Sequence, residues 1–178
     1  DLEKSKNEES GQITNNCFVC GSTNPIGLKV KFSLVDGVCV ALFTPQAQHA
    51  GYESVTHGGI LFSLLDDVMA NWVWLQGEKC FTAKADIRYR AELPIGQEVR
   101  LEGRCLKRKG RLAQMEGKII RTDNQFVVAQ ASASFMTEAS SDTNVKIIKR
   151  TLSLAMSGSL GWFLAVFLVG SSDHKVGR

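Results

Sequence analysis

Two glycines and two aspartates stand close together in the most informative stretch of the sequence. His57, Gly58 and Gly59 come directly before a run whose apolar residues have helical spacing. Glycines at a helix start leave backbone N–H groups exposed at the positive end of the helix dipole, which suits an oxygen that becomes anionic during a reaction. About two turns later come Asp66 and Asp67. A carboxylate near such donors is a candidate nucleophile or general base.

Helical geometry separates the two aspartates. Asp66 is predicted beside Phe62 and Met69, at the margin of the apolar stripe. Asp67 points about 100° away, toward the arc that contains Ser63. The sequence therefore predicts that Asp66 is the more desolvated carboxylate, with a pKa raised by burial and by its charged neighbour. The alternative is that both aspartates are solvated helix residues without a chemical role.

The elements that must position these residues predict an α+β domain. Residues 27–35 and 38–43 read as strands, and the Asp-Gly pair between them is a hairpin signal. Residues 60–76 have the period of an amphipathic helix. Four more strand-like runs follow, at residues 82–93, 98–107, 112–121 and 126–137. One helix with a wide apolar stripe needs a sheet to bury it, so an antiparallel sheet wrapped around this helix is expected.

The run HGGILFSLLD resembles the signature of the hotdog-fold thioesterases, in the branch of phenylacetyl-CoA thioesterase and the 4-hydroxybenzoyl-CoA thioesterase of the same type. In that branch an acidic residue lies nine positions after the histidine, and here that residue is Asp66. The predicted strand order also matches the hotdog fold, from about residue 27 to residue 137. The resemblance implies hydrolysis of acyl-CoA, or less directly of an acyl-carrier-protein thioester, without a metal or organic cofactor.

The resemblance also implies roles for individual residues. Asp66 would attack the thioester carbonyl or activate water against it, and the backbone N–H of Gly58 would polarise that carbonyl. Thr82 would assist the water and would come from the other subunit. His57 most simply fixes the loop by hydrogen bonds, and direct proton transfer is its alternative role.

One position departs from the family pattern. The family often carries Asn or Gln six residues before the histidine of HGG, where this sequence has Gly51. Another group must then hold the carbonyl or the water. Gly59 and His49 are the predicted substrate-binding residues, with Gln48 as a neighbouring candidate.

The predicted active site lies between subunits. A lone hotdog sheet leaves one face and one edge strand uncovered, and a homodimer or a dimer of dimers would cover both. Two other functions remain open at this point. One is a non-catalytic acyl-CoA binding module, and the other is a hotdog hydratase or dehydratase, for which no suitable Asp and His pair is visible.

Cys17 and Cys20 have the spacing of a zinc knuckle, but no second pair of Cys or His follows at ligand distance. A single CxxC is a weak signal, so packing is the expected role and no metal site is predicted. The basic run from Lys107 to Arg111 is expected at a hairpin turn, where it is either solvated or in contact with coenzyme A phosphates.

The flanks of the domain are predicted to differ from its centre. Residues 1–16 are polar and expected to be disordered, residues 17–138 form the domain, and residues 139–178 are an extension. Within that extension, residues 152–170 carry no charge and are a candidate membrane anchor or a helix packed on the domain. The polar opening and five scattered cysteines favour the cytoplasm. A net charge of +3 gives no indication of nucleic-acid binding.

Overall fold

The computed structural model describes residues 15–138 of the chain. The predicted C-terminal extension, with its apolar segment 152–170, and residues 1–14 lie outside the described residues. Within 15–138 no helix is long and apolar enough to cross a membrane. The elements in chain order are β1 Ser33–Val35, β2 Val38–Phe43, a short 3-10 helix Ala47–His49, β3 Ala50–Tyr52, β4 Val55–Thr56, α1 Gly58–Trp74, β5 Cys80–Tyr89, β6 Val99–Lys109, β7 Leu112–Arg121 and β8 Val127–Thr137.

Six of the strands form one antiparallel sheet in the order β1-β2-β6-β7-β8-β5, which confirms the predicted α+β class. β3 and β4 form a separate two-stranded sheet. The predicted hairpin between β1 and β2 is present, and both Asp36 and Gly37 have the positive φ angles, 48° and 78°, that such a tight turn requires. Among residues 15–138, β5 lies at the edge of the large sheet and pairs only with β8.

Helix α1 packs against the sheet through side chains that are fully excluded from solvent. Two glycines of the sheet, Gly103 on β6 and Gly117 on β7, are paired in register beneath it. A Cβ atom on Gly103 would lie 2.6 Å from the carbonyl oxygen of Val68, so a larger residue here would push the helix away. The close approach seats α1 in the sheet, with the core residues Leu61, Leu64, Leu65, Val68, Met69 and Val73 against it.

The prediction that residues 27–35 form one continuous strand was wrong for its first half. Lys29 has a φ of 57°, which interrupts an extended strand. The backbone N–H groups of Leu28 and Val30 instead donate to the carbonyls of Phe18 and Val19, at 2.8 and 2.9 Å. The segment therefore runs beside the loop that contains Cys17 and Cys20 and holds this loop on the domain.

Candidate active site

The start of α1 is organised by His57, which is the N-cap residue of the helix. Its Nδ1 accepts a hydrogen bond of 2.8 Å from the N–H of Gly59, and its own N–H donates to the carbonyl of His49 at 2.8 Å. These contacts agree with the predicted role of His57 in fixing the loop. Because the N–H of Gly59 is engaged, Gly58 carries the donor that remains available for a substrate oxygen.

The N–H of Gly58 makes no hydrogen bond within residues 15–138, as expected for the first residue of a helix. The carbonyl of Gly58 accepts a 3.0 Å hydrogen bond from the hydroxyl of Tyr89, at the end of β5. Gly58 and Tyr89 line a cavity of about 630 Å³ together with apolar residues that include Val55 and Leu61. The candidate oxyanion donor thus lies at the wall of a cavity large enough for part of a substrate.

Asp66 is held by Thr82. The Thr82 hydroxyl donates a 2.7 Å hydrogen bond to Asp66 Oδ1, and both side chains are half-buried. A hydroxyl donor fixes one carboxylate oxygen and leaves the other free to act on a substrate or a water. This contact forms within one chain, because β5 returns alongside α1. The prediction that Thr82 comes from another subunit stays a prediction, and Thr82 would then act together with Asp66 of its own chain.

The order of burial predicted for the two aspartates was also wrong. Asp67 is only 8% exposed, and burial raises its pKa to about 6 against the opposing hydrogen bonds from Cys20, Cys17 and Asn71. Asp66 is half-buried. The helix period predicts only the face that packs on the sheet. It does not show that the loop containing Cys17 and Cys20 covers the face on which Asp67 lies.

His49 does not meet Gly58 in the same cavity. Its Nδ1 accepts a hydrogen bond of 3.0 Å from the N–H of Gln46, and its ring packs against Phe43 at a centroid distance of 5.4 Å. Burial lowers the pKa of the His49 imidazole. It lines a different cavity, of about 980 Å³, together with Gln48 and Arg100. A role of His49 toward the substrate stays a prediction, and it would involve a part of the substrate remote from Gly58.

The departure at Gly51 has a steric reason. A Cβ atom on Gly51 would lie 3.0 Å from the Cα of His57 and 3.1 Å from its ring. The chain brings this position directly against the helix cap, where a side chain would require His57 to shift by a few tenths of an ångström. Gly51 therefore supports the cap instead of contributing a polar group.

Residues 53–128 match the family model of the thioesterase superfamily. This part of the chain is thus similar to the thioesterase superfamily. The acyl-coenzyme A thioesterase THEM5 of Mus musculus is 29% identical to the chain over 97 residues, which cover 54% of this chain and 39% of THEM5. Human THEM5 is 28% identical over the same length. The chain thus spans about two fifths of the length of these curated relatives.

Similar solved structures confirm the hotdog fold. A thioesterase superfamily protein of 26% identity superimposes with a TM-score of 0.63, covering 67% of this chain and 62% of that protein. The PaaI protein of E. coli, from the phenylacetic acid degradation operon, has 21% identity and a TM-score of 0.59, with coverages of 63% and 81%. A Streptococcus mutans protein solved with acetyl CoA bound has 18% identity and a TM-score of 0.58, with coverages of 62% and 89%.

Sequence reasoning missed Tyr89 at the candidate site. A regular strand would place Thr82 and Tyr89 on opposite faces, because they are seven residues apart and side chains alternate. A register shift between Thr82 and Lys84 changes this alternation, so that both side chains reach α1. No local sequence signal marks this bulge.

Proposed function

We propose that the domain is an acyl-CoA thioesterase that hydrolyses the thioester to a free acid and CoA. The observation that carries the proposal is the hydrogen bond from the Thr82 hydroxyl to Asp66. It orients a carboxylate on α1, the helix that begins with the available N–H of Gly58. The name of THEM5 and the acetyl CoA bound to the S. mutans protein support coenzyme A as the carrier. An acyl-carrier-protein thioester is the alternative substrate.

One chain alone cannot present both groups to the same carbonyl. Gly58 and Asp66 are eight residues apart on α1, which corresponds to about 12 Å along the helix axis. A reacting carbonyl needs the nucleophile and the oxyanion donor each within about 3–3.5 Å. The proposal therefore places Asp66 of one subunit opposite Gly58 of a second subunit.

The edge strand β5 supplies a way to bring the two subunits together. Thr82 near its start contacts Asp66, and Tyr89 at its end contacts Gly58. The bulge after Thr82 leaves Asp86 midway between Thr82 and Tyr89 in the register of the sheet. Antiparallel pairing of β5 with its copy about a twofold axis at Asp86 would therefore set Thr82 of one chain opposite Tyr89 of the other. Such a homodimer would contain two equivalent sites and would remove the exposed edge of the sheet. A dimer of dimers is a further assembly of the same kind.

The reaction at this site follows from the groups present. Asp66 either attacks the carbonyl carbon, forming an anhydride that water then hydrolyses, or removes a proton from water as it attacks. The carbonyl oxygen becomes negative and accepts a hydrogen bond from Gly58 of the other subunit. The carbon–sulfur bond breaks and CoA leaves as a thiolate that takes up a proton. Phe62, one turn before Asp66 and 37% exposed, is a candidate wall for the acyl group.

The proposal is tested by thiol release from a panel of short, aryl and long acyl-CoAs, with binding measured in parallel. Turnover of at least one thioester is expected. Tight binding of acyl-CoA without thiol release from any substrate would contradict the proposal and would favour a non-catalytic binding module.

Replacing Thr82 by Val is expected to lower kcat about 10- to 100-fold, with a smaller effect on KM. The substitution removes the hydrogen bond that orients Asp66, and a hydrogen bond to a charged group contributes about 1.5–3 kcal/mol. Thr82→Ser keeps the hydroxyl and should retain most of the activity. Equal activity of the Val and Ser variants, measured by initial-rate kinetics, would show that the hydroxyl does not orient Asp66.

A further inference from the structure

Three metal-binding side chains meet where the loop before β1 lies against α1. The Sγ atoms of Cys17 and Cys20 and a carboxylate oxygen of Asp67 all lie within 4.8 Å of one another. Cys17 Sγ is 3.7 Å from Asp67 Oδ1, and Cys20 also hydrogen-bonds to this carboxylate. Cys20 is 1% exposed and Asp67 is 8% exposed, so the protein encloses most of the cluster. The proposed hydrolysis does not use any of these three residues.

The backbone of the loop is shaped to present both sulfurs on one side. The N–H of Cys20 donates to Cys17 Sγ at 3.4 Å, and the N–H of Gly21 donates to the carbonyl of Cys17 at 3.0 Å. A Cβ atom on Gly21 would lie 2.5 Å from both the nitrogen and the oxygen of Cys17, so only glycine closes this turn. The turn thus places both sulfur atoms on the side that faces Asp67.

Asn71 supplies an independent observation beside the cluster. Its Nδ2 donates to Asp67 Oδ2 at 3.0 Å, which orients the carboxylate toward the sulfurs. Its Oδ1 is buried and accepts no hydrogen bond from the described residues, and the side chain is 0% exposed. A buried carbonyl oxygen without a partner is destabilising. A cation next to Asp67 would give Oδ1 a partner if the amide turned over, and the cation would then replace the two hydrogen bonds that Nδ2 makes to Asp67.

We propose that Cys17, Cys20 and Asp67 bind a thiophilic divalent cation, and that Zn²⁺ fits this donor set best. Zinc accepts thiolate and carboxylate ligands in tetrahedral geometry, whereas Mg²⁺ and Ca²⁺ require oxygen ligands. Asn71 Oδ1 is the candidate fourth ligand. Binding releases the two thiol protons to solvent and leaves the oxidation state of the metal unchanged. The metal cross-links the loop to α1 one residue from Asp66, and the site does not depend on the proposed hydrolysis.

Cobalt titration of the full-length, reduced and metal-free protein tests this site directly. One Co²⁺ per chain is expected, with sulfur-to-cobalt charge-transfer absorption and the intense visible bands of tetrahedral cobalt, both lost when Zn²⁺ displaces the probe. Zn²⁺ should also raise the Tm. Cys17→Ser and Cys20→Ser should lose the charge-transfer band, and Asp67→Asn should weaken Co²⁺ binding by about tenfold or more. Cys105→Ser, which removes a half-buried thiol on β6, is the matched control and should bind like the wild type.

Thiol protection gives a second readout that does not depend on a folded cysteine variant. Bound Zn²⁺ should shield Cys17 and Cys20, out of five cysteines, from a thiol reagent, as located by peptide mass spectrometry. The proposal is overturned if wild type and Cys17→Ser show the same cobalt spectrum, or if Zn²⁺ protects neither thiol. Recovery of the pair as a disulfide after exposure to air, with no cobalt uptake by the fully reduced protein, would overturn it as well.

Discussion

Replacing Asp66 by Asn is expected to lower kcat for thiol release by about 10²- to 10⁴-fold, the range typical of loss of a general acid–base group. Asn has nearly the same size, and its Oδ1 can still accept the hydrogen bond from Thr82. It can neither attack a carbonyl nor take a proton from water. The domain should therefore stay folded, and initial rates with the best acyl-CoA of the panel measure the loss.

Asp123→Asn is the matched control for this substitution. Asp123 is an exposed aspartate in the turn after β7, where it forms an ion pair with Arg121. Removing its charge should leave kcat unchanged. If Asp66→Asn kept the rate of the wild type while binding acyl-CoA normally, Asp66 would be a structural residue and the proposed mechanism would be wrong.

Replacing Gly58 by Pro is expected to lower kcat by about 10²- to 10³-fold, as does the removal of one oxyanion donor in other acyl-transfer enzymes. Proline has no N–H, so this substitution deletes the proposed donor itself. Gly58 is the first residue of the helix, where proline is well tolerated. His57 before it has φ −61° and ψ 133°, the extended conformation that proline requires of its predecessor. Rates with saturating acyl-CoA, together with circular dichroism of the variant, measure the effect.

Gly58→Ala separates the N–H from the added bulk. A Cβ atom at this position would lie 3.6 Å from the ring of Tyr89, an ordinary contact distance, and alanine keeps the N–H. The Ala variant should retain most of the activity. Loss of the same size in both variants would mean that space at the helix start matters and that the N–H does not.

Much of the fold could be predicted from the sequence because its signals are local. The Asp36–Gly37 turn, the helical period of α1 and the alternation in the later strands depend on neighbouring residues, and the structure confirms these elements. The strand predicted at residues 27–35 failed at its start because Lys29 adopts a positive φ and the segment pairs with the loop at Phe18 and Val19. That contact joins two separate segments of the chain, and no periodicity in the sequence indicates that they pair.

The candidate site likewise combines residues that local sequence signals predict with contacts that only the folded chain creates. Asp66 and Gly58 were predicted from a motif on one helix, and Thr82 from its place after that helix, and their roles stay predictions. Their partners are not local. The burial of Asp67 depends on the loop around Cys17, and Tyr89 reaches Gly58 only through the register shift in β5. Contacts of this kind require the folded chain.

Each proposed active site combines Asp66 of one subunit with Gly58 of another, and mixing two inactive variants tests whether the subunits share the site. Asp66→Asn and Gly58→Pro chains would be co-expressed, and thiol release by the mixture compared with that of each variant alone. A mixed dimer contains one site with both native groups, so random pairing should restore about a quarter of the wild-type rate. If mixed dimers form, as shown by pull-down of differently tagged chains, and the rate stays at the level of the single variants, the shared site is contradicted.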